Sequence, residues 1–377
     1  MTDFSTFDVA FAMTGDVYRN SRALKQLESL TRLGLRVVVL CLEGEAPPVR
    51  LPGDVEVRRM PVPEGSGPGF FRMVHRGMSD MLRAVNARWI HASDLYVVPA
   101  CARRAKNLSS VSSAKDPVPW SYDSRELYAH VAATAGRPWV SWFWRLLEGR
   151  YIRRARVVFT VSDRIADHLA ATYGIPRPVV VRNVPPRSTH VRAAPPLPTG
   201  PPVILHLGQM RASRGLEHLI AAMAFVPGAR LVFMGYGAGK PVLETLAAAS
   251  PAADRIEFRP PVPPADVPQA AAEAWVGVTL LEDSCLNHRY ALPNKLFEYL
   301  AAGVPVVASD LPEIRAVLES TQAGMCVDPS HVRELAAALQ HVCDNQTTYR
   351  PNARRAAERF NWENEAQAFV TPFQDLL

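Results

Sequence analysis

A lysine at the start of a predicted helix is the first residue of this sequence that could do chemistry. The stretch ALPNKLFEYLAAGVPVVAS, residues 291–309, predicts a helix that Pro293 opens and Gly303 ends, followed by a buried strand. Lys295 then lies in the first helical turn, where unpaired backbone N–H groups disfavour a cation by about 0.3–1 kcal/mol. A phosphate bound between these N–H groups and the lysine removes that penalty, so the pattern predicts a diphosphate site.

Two further residues extend this site toward a nucleotide. Glu298 is one turn after Lys295 on the same helix face and could accept hydrogen bonds from the two hydroxyls of a ribose. Arg214 follows a predicted strand at 202–208 and precedes a helix that starts near Gly215, which is an equivalent strand-to-helix corner. The alternatives are an exposed ion pair between Lys295 and Glu298, and a solvated loop position for Arg214.

Strand-to-helix corners of this kind are typical of parallel sheets, and the sequence predicts two parallel sheets. Apolar runs typical of strands alternate with helical patterns along the whole chain, which indicates an α/β fold. The predicted strands are 7–13, 35–42, 89–93, 118–123, 156–162 and 178–183 in the first half, then 202–208, 229–235, 255–260, 275–281, 304–309 and 324–328 in the second. Because ligands bind beyond the carboxyl ends of parallel strands, we expect the site in a cleft between two doubly wound domains.

The domain boundaries are predicted from length and composition. A chain of 377 residues is long enough for two hydrophobic cores. Residues 185–202 contain seven prolines and no apolar periodicity, so we expect a linker there. This places a Rossmann-like domain at 1–184 and a second one at 203–359, followed by a helical tail at 360–377.

Composition and charge exclude several classes of protein. Apolar residues make up 48% and charged residues 21%, and no apolar run approaches the roughly 20 residues that span a bilayer. The N-terminus lacks a secretory pattern and the five cysteines form no CxxC pair, so we expect a cytoplasmic protein without a structural metal. The net charge of +6 comes without any long basic run, which disfavours a nucleic-acid partner but allows peripheral contact with the inner face of an anionic membrane.

Three motifs together resemble the GT4 family of retaining glycosyltransferases. They are LPNKLFEYLAAGVPVVASDLPEI, LGQMRASRGLEHLI and FTVSDRIADHLAATYG with the following VVVRNVP. The resemblance implies the GT-B fold, in which two Rossmann-like domains face each other across a cleft. It also implies that a nucleotide-sugar binds the C-terminal domain and an acceptor the N-terminal one, and that residues 360–377 cross back to the N-terminal domain.

The same resemblance implies roles for particular residues. By position, Arg214 and Lys295 match the basic catalytic positions at the diphosphate, and Glu298 matches the glutamate that holds the donor ribose. The usual E-x7-E pair of glutamates is interrupted here, because Tyr290 stands eight residues before Glu298. The residues expected to face the donor sugar, in part through backbone N–H groups, are Asn287, Tyr290, Leu292 and Asn294.

Polar residues after strands of the first domain are expected on the acceptor side. They lie in WIHASDLYVVP and WSYDSRELY, and they are His91, Asp94, Asp123, Arg125 and Glu126. Related sequences read H-A-H-D-L and Y-D-S-H-E-L in these places, so two histidines are replaced here. A core position is an equal alternative for His91. Gly15, in MTGD after the first strand, would let the backbone approach the donor phosphate or the acceptor.

Two segments combine aromatic residues with arginines at near-helical spacing. They are GFFRMVHRGMSDMLRAVNARW, residues 69–89, and RPWVSWFWRLLEGRYIRRARVV, residues 137–158. Helices at a membrane surface have this composition, and so do helices that pack on a core. We favour core packing for both segments.

The sequence therefore predicts a retaining glycosyltransferase of polysaccharide or glycoconjugate biosynthesis. The donor would be a UDP- or GDP-linked sugar, and the acceptor a hydroxyl of a glycan, a lipid-linked molecule or a small molecule. No D-x-D motif occurs, so we expect no metal cofactor and assign the leaving diphosphate to Arg214 and Lys295.

Two alternatives stay open at this point. The first is a nucleotide-cofactor oxidoreductase, but its glycine motif in MGYGAGKP is broken by Lys240. The second is a two-domain sugar- or nucleotide-binding protein without chemistry.

Overall fold

The computed structural model describes residues 6–44, 51–65, 67–108, 117–189, 200–263 and 266–377. Residues 190–199 of the predicted linker therefore lie outside the described residues. The chain divides into two compact units. Unit 1 consists of Met1–Arg182 with Ala366–Leu377, and unit 2 consists of Asn183–Glu365.

Unit 1 is built on a seven-stranded parallel sheet whose strands mostly alternate with helices. Its strands are β1 (Thr6–Ala12), β2 (Val37–Leu42), β3 (Val55–Met60), β4 (Asn86–Ala92), β5 (Trp120–Ser124), β6 (Val157–Thr160) and β7 (Val179–Val180). The order is β3-β2-β1-β4-β5-β6-β7, so the strand order reverses between β1 and β4, where ligands bind in such sheets. The helices are α1 (Ser21–Arg32), α2 (Gly67–Arg83), α3 (Val98–Leu108), α4 (Pro138–Ile152) and α5 (Asp163–Tyr173).

Unit 2 repeats this plan with a six-stranded parallel sheet. Its strands are β8 (Val203–Gln209), β9 (Arg230–Tyr236), β10 (Ile256–Arg259), β11 (Val276–Thr279), β12 (Val306–Ser309) and β13 (Gly324–Val327), in the order β10-β9-β8-β11-β12-β13. The helices are α6 (Leu216–Ala222), α7 (Lys240–Ala248), α8 (Val267–Ala272), α9 (Leu286–Arg289), α10 (Asn294–Ala301), α11 (Pro312–Thr321), α12 (Val332–Asp344) and α13 (Gln346–Arg359).

Apolar side chains on both faces of the second sheet form two core clusters. Leu205 and Leu207 of β8 point into the cluster that contains α10, whereas Ile204 points into the cluster on the opposite face. A strand buried on both faces reads as a continuous apolar run, which is why β8 and its neighbours were predictable. The predicted α/β class with two parallel sheets is confirmed.

The last helix, α14 (Trp362–Val370), begins in unit 2 and ends in unit 1. Within unit 2 its Trp362 N–H donates to the carbonyl of Pro185 at 2.9 Å. Within unit 1, Phe369 and Phe373 are fully buried against the sheet, with the Phe373 ring centroid 5.0 Å from that of Trp89. A 3-10 helix, Thr371–Leu376, follows α14.

The structure differs from the predictions at four elements. Strand β3 was not predicted, because VEVRRM alternates apolar with charged residues at the edge of its sheet. The predicted strand 178–183 is reduced to the two residues of β7, and the helical pattern over 69–89 stops at Arg83 before β4 begins. Pro293 precedes α10 in an extended conformation, with φ −66° and ψ 133°, so that Asn294 is the first helical residue.

None of the helices in the described residues is long and apolar enough to cross a bilayer.

Candidate active site

A buried tyrosine fixes α10 against the end of β8. Strand β11 pairs with β8 only at Ile204 and Leu205, so the backbone beyond needs another partner on that side. The Tyr299 hydroxyl supplies it by accepting from the Leu207 N–H at 2.9 Å and donating to the Leu205 carbonyl at 2.8 Å. Gly277 of β11 leaves room for the ring, since a Cβ there would lie 2.3 Å from it.

We expect Tyr299→Phe to lower the free energy of unfolding by about 1–3 kcal/mol, because it leaves a buried N–H and a buried carbonyl without partners. Urea denaturation measures this. Tyr236→Phe is the matched control, since Tyr236 is exposed and should lose nothing measurable. Equal stability of the two variants would show that the Tyr299 hydroxyl does not hold the helix.

Lys295, the second residue of α10, lies over the end of β8. Gly208 has φ 95°, and a Cβ on it would lie 2.6 Å from the Lys295 Nζ, so the ammonium occupies the space above this glycine. No side chain caps the first turn of α10 among the described residues. Among the residues that the structure describes, no acidic side chain pairs with Lys295, so the alternative ion pair with Glu298 does not form.

Arg214, at the corner before α6, contributes positive charge near β8. His206 of β8 is buried, and burial followed by the positive charges of Lys295 and Arg214 lowers the pKa of this histidine to about 3. The ring is therefore neutral at pH 7. Lys295 and Arg214 both lower this pKa, so each contributes positive potential at His206.

The loop after β11 is tied to the corner that carries Arg214. The Gly215 N–H donates to the Glu282 carboxylate at 3.3 Å, and the Glu282 N–H donates to the Ser213 carbonyl at 3.2 Å. Ser213 itself has φ 59°, a left-handed conformation that costs a non-glycine residue free energy. Strain of this kind persists where surrounding contacts hold it, and it is common at functional sites.

The predicted sugar-facing residues lie in and after α9. Asn287 and Tyr290 are half-buried and Asn294 is exposed, whereas Leu292 is half-buried with its side chain packed against the core. Glu298 is half-buried one turn beyond Lys295. Gly15, with φ 91°, belongs to unit 1 and not to this group.

His288 is a residue of this loop that the sequence reasoning missed. Its Nδ1 lies 2.9 Å from the Ser284 hydroxyl and 3.2 Å from the Glu282 carbonyl. Burial, followed by the charge of Arg214, lowers its pKa. The only signal in the sequence is its place between Asn287 and Tyr290, which does not distinguish it from a surface histidine.

In unit 1, Asp94 organises the loop that follows β1. Its carboxylate accepts from the Thr14 N–H and hydroxyl, both at 2.7 Å, and from the Tyr96 N–H at 3.0 Å. The Arg125 guanidinium is 3.9 Å away, and Glu126 is exposed. Asp94 and Arg125 are thus brought together beside Gly15.

Asp123 lies in the core and does not face a ligand. Arg22 donates to both of its carboxylate oxygens, at 2.7 and 2.8 Å, and Gln26 donates to it at 2.9 Å. Burial alone would raise the pKa of Asp123, but the charge and hydrogen bonds of Arg22, with His91 and Arg125, bring it below its usual value. The assignment of Asp123 as an acceptor ligand is corrected, because its side chain is fully buried and paired with Arg22.

His91 is corrected for the same reason. The ring is fully buried in β4, its Nδ1 lies 2.8 Å from the Ser121 hydroxyl, and burial lowers its pKa to about 4. The rings of Phe11 and Phe369 pack against it, with centroids 4.6 and 5.7 Å away. His91 is therefore the core histidine that the sequence left as an alternative.

Among the described residues no cluster of three or more His, Cys, Asp and Glu side chains could hold a metal ion.

Two family descriptions match most of the chain. Residues 20–186 match the glycosyl transferase 4-like domain, and residues 201–345 match glycosyl transferases group 1. The chain belongs to the GT4 family of glycosyltransferases. It is therefore a transferase enzyme, and the oxidoreductase and binding-protein alternatives are not favoured.

Curated relatives of this glycosyltransferase are distant. A D-inositol 3-phosphate glycosyltransferase of Xylanimonas cellulosilytica is 28% identical over 182 residues, which is 46% of this chain and 42% of that protein. A protein of the same name from Acidothermus cellulolyticus is 25% identical over 61% of this chain and 57% of its own length. The chain thus matches about half the length of these relatives.

Solved structures share the fold of the glycosyltransferase along its whole length. Sucrose-phosphate synthase from Thermosynechococcus elongatus superposes with a TM-score of 0.79 at 17% identity, over 98% of this chain and 99% of that one. HepE of Anabaena, solved in complex with UDP and glucose, has a TM-score of 0.72 at 14% identity, over 98% and 100%. These neighbours confirm the GT-B fold.

Proposed function

We propose that this glycosyltransferase moves a sugar from a nucleoside diphosphate donor to an acceptor hydroxyl and retains the anomeric configuration. The observation that carries the proposal is Lys295, whose ammonium lies over Gly208 at the end of β8 without an acidic partner among the described residues. Arg214 adds positive charge near the same strand. Two cations at one strand end fit the diphosphate of a nucleotide-sugar.

The two cations would stabilise the leaving diphosphate during transfer. When the bond between the sugar and the diphosphate breaks, negative charge grows on the departing phosphate oxygens. Cations that are already in place stabilise this charge more in the transition state than in the ground state, and losing one such group costs about 3–4 kcal/mol in comparable sites. In the proposed mechanism Lys295 and Arg214 have this role, and Asn287, Tyr290, Asn294 and the backbone at Leu292 hold the sugar.

Glu298 supports a nucleotide as the carrier of the diphosphate. It lies half-buried one turn beyond Lys295, with no ion pair to that lysine, so its carboxylate oxygens can accept from a ribose diol. The Anabaena neighbour HepE was solved with UDP and with UDP-glucose, which favours a uridine donor over a guanosine one.

The acceptor is proposed by class only. A glycan, a lipid-linked molecule and a small molecule all stay in the proposal, because the names of the relatives include an inositol phosphate glycosyltransferase and glycogen synthases. Asp94, Arg125, Glu126 and the Gly15 loop are the acceptor-side residues of unit 1. Action on the cytoplasmic side of the membrane is part of the same proposal.

A donor screen followed by product analysis tests this function. The purified chain is screened by thermal shift with UDP-, GDP- and dTDP-sugars and with NAD, and the donor that stabilises it is used in radiolabelled transfer. We expect stabilisation by a nucleotide-sugar, labelled product, and an anomeric configuration by NMR equal to that of the donor. Stabilisation by NAD alone, or inversion in the product, would contradict the proposal.

We expect transfer to continue in excess EDTA, because two side-chain cations take the place of a metal at the diphosphate. High salt should instead raise the donor KM, since it screens exposed charges. Initial rates with and without chelator measure this, with an Mg²⁺-dependent kinase treated in parallel as the chelation control. Activity that EDTA abolishes and Mn²⁺ or Mg²⁺ restores would reveal a metal requirement and refute the expectation.

We expect Glu298→Gln to weaken binding of the nucleoside diphosphate, because hydrogen bonds to a charged group contribute about 1.5–3 kcal/mol each. Calorimetric titration with UDP and GDP measures the change. Glu244→Gln is the matched control, since Glu244 is exposed on α7 and pairs with Lys240 at 3.5 Å. Unchanged affinity in the Glu298 variant would reject the ribose assignment.

A further inference from the structure

Helix α4 carries apolar side chains on two opposite faces. The inner face includes Trp144, whose ring centroid lies 5.0 Å from that of Tyr96 and 5.6 Å from that of Phe71. The outer face follows the spacing i, i+3, i+4, i+7 and is formed by Trp139, Trp142, Phe143 and Leu146, which are 67%, 63%, 40% and 52% exposed. Of the three tryptophans of this segment, Trp144 is half-buried and packs on aromatic rings, whereas the expected core packing is wrong for Trp139 and Trp142.

Helix α2 lies beside this outer face. Phe71 of α2 packs edge-on against Phe143 of α4, with ring centroids 5.9 Å apart. Met73 is 44% exposed, and its neighbours Arg72 and Arg76 are exposed as well. We call the following set the α2–α4 surface: Met73, Trp139, Trp142, Phe143 and Leu146 with the exposed arginines Arg72, Arg76, Arg137, Arg145 and Arg150.

The charge of the α2–α4 surface has one sign. None of its five arginines forms an ion pair with a described residue. Helices α2 and α4 are described throughout, and their acidic residues are only Asp80, paired with Arg83 at 2.9 Å, and Glu148, which is buried. Glu148 accepts from the hydroxyls of Tyr122 and Tyr173, so it adds no negative charge outside.

We propose that the α2–α4 surface docks on an anionic lipid bilayer. Exposed tryptophans beside arginines suit the boundary between headgroups and acyl chains, where the rings are partly buried and the guanidinium groups meet lipid phosphates. A second copy of the chain fits this surface less well, because a two-fold interface would place the same unpaired arginines opposite each other. The positive charge of the α2–α4 surface therefore favours an anionic bilayer as its binding partner.

The α2–α4 surface is continuous with the acceptor side of unit 1. Trp144 links the two, because its ring contacts Tyr96 in the loop after β4 and Tyr128 in the loop after β5, with centroids 5.0 and 6.3 Å apart. These loops also carry Asp94 and Glu126. Docking would place them at the lipid surface, so we infer a lipid-linked acceptor, an inference that rests on the proposed function.

Vesicle binding tests the docking surface without any sugar donor. The full chain is sedimented with vesicles of phosphatidylcholine alone and with vesicles that contain one-third phosphatidylglycerol. We expect binding to the anionic vesicles only. Trp139→Ser with Trp142→Ser should weaken it by about ten-fold or more, because two large apolar side chains are removed. Arg150→Glu should weaken it by about five-fold or more, as expected for one cation near an anionic surface.

Matched controls lie elsewhere on the chain. Val242→Ser with Leu246→Ser removes two exposed apolar side chains of α7, and Arg32→Glu reverses one exposed charge of α1. Both should bind vesicles as the unmodified chain does. Circular dichroism checks that every variant is folded, which we expect because all substituted side chains are exposed.

Several outcomes would overturn the docking surface. They are failure of the unmodified chain to bind anionic vesicles, equal binding to both vesicle types, and equal losses in controls and surface variants. A lipid-free dimer that dissociates on Trp139→Ser with Trp142→Ser would assign the surface to a second copy instead. Donor binding is measured separately by calorimetry, so a failed glycosyl transfer and a failed membrane contact give different results.

Discussion

Lys295→Ala should lower kcat of glycosyl transfer by about 10²–10³-fold, the loss seen when one preorganised charge-stabilising group is removed. The physical reason is the place of the ammonium, which lies over Gly208 at the end of β8 with no acidic partner among the described residues. A charge placed for the leaving diphosphate acts mainly in the transition state. We therefore expect the loss mostly in kcat and less in KM.

Arg214→Ala should have an effect of similar size, because it removes the second cation near the same strand. Lys240→Ala is the matched control for the lysine, since Lys240 also lies in the first turn of a helix but pairs with Glu244. Steady-state kinetics with the donor identified by the screen measures all three. Near-normal turnover in folded Lys295→Ala and Arg214→Ala proteins would remove both residues from the proposed mechanism.

Asp123→Ala should destabilise the chain by about 3–5 kcal/mol, because it leaves the guanidinium of Arg22 buried without its carboxylate. The pair is almost fully buried, at 3% and 0% side-chain exposure. Arg22 also donates to the Val181 carbonyl, so the pair joins α1, β5 and the segment after β7. Urea unfolding followed by near-UV circular dichroism measures the change in the free energy of unfolding.

Asp163→Ala is the control for this substitution. Asp163 pairs with Arg177 and Arg182 at 2.7 Å each but is half-exposed, and exposed ion pairs contribute only about 0–1 kcal/mol. Replacing both partners, as Arg22→Met with Asp123→Leu, should recover part of the stability, since no charge is then left unpaired. A similar small loss for Asp123→Ala and Asp163→Ala would show that the buried pair does not hold unit 1 together.

The lowered pKa of Asp123 gives this stability a pH dependence with a defined sign. A carboxyl whose pKa is lower in the folded chain than in the unfolded chain stabilises the fold above the unfolded pKa. That contribution is lost as the pH falls through the folded pKa. The difference in stability between the unmodified chain and Asp123→Ala should therefore be full at neutral pH and shrink in acid.

Local patterns in the sequence were sufficient for most of the fold and for the helix on which Lys295 and Glu298 lie, whereas the donor roles of these residues stay predictions. Buried strands such as β8 appear as apolar runs, and the helix that carries Lys295 and Glu298 is marked by Pro293 just before its start and Gly303 just after its end. An edge strand such as β3 lacks this signal, since three of its six residues are charged and none is fully buried. Prediction of strands from apolar runs is therefore reliable in the interior of each sheet and weak at its edges.

Contacts between distant parts of the chain could not be predicted. Tyr299 bonds to Leu205 across 94 residues, and Arg22 bonds to Asp123 across 101. Neither pair leaves a periodic pattern, because each partner alone is compatible with an ordinary helix or strand. His91 and Asp123 were misassigned because both side chains are fully buried and bonded to partners distant in sequence, Ser121 and Arg22, which a position near a strand end does not reveal.

The path of α14 makes unit 2 a domain inserted into unit 1. The first unit is interrupted after Arg182 and resumes at Ala366, and the ends of the insert are held together by the bond between Trp362 and Pro185. The core of unit 1 around His91 thus depends on two residues that follow the insert, Phe369 and Phe373. All residues of unit 2 therefore precede Ala366–Leu377, the segment that completes unit 1, in the order of synthesis.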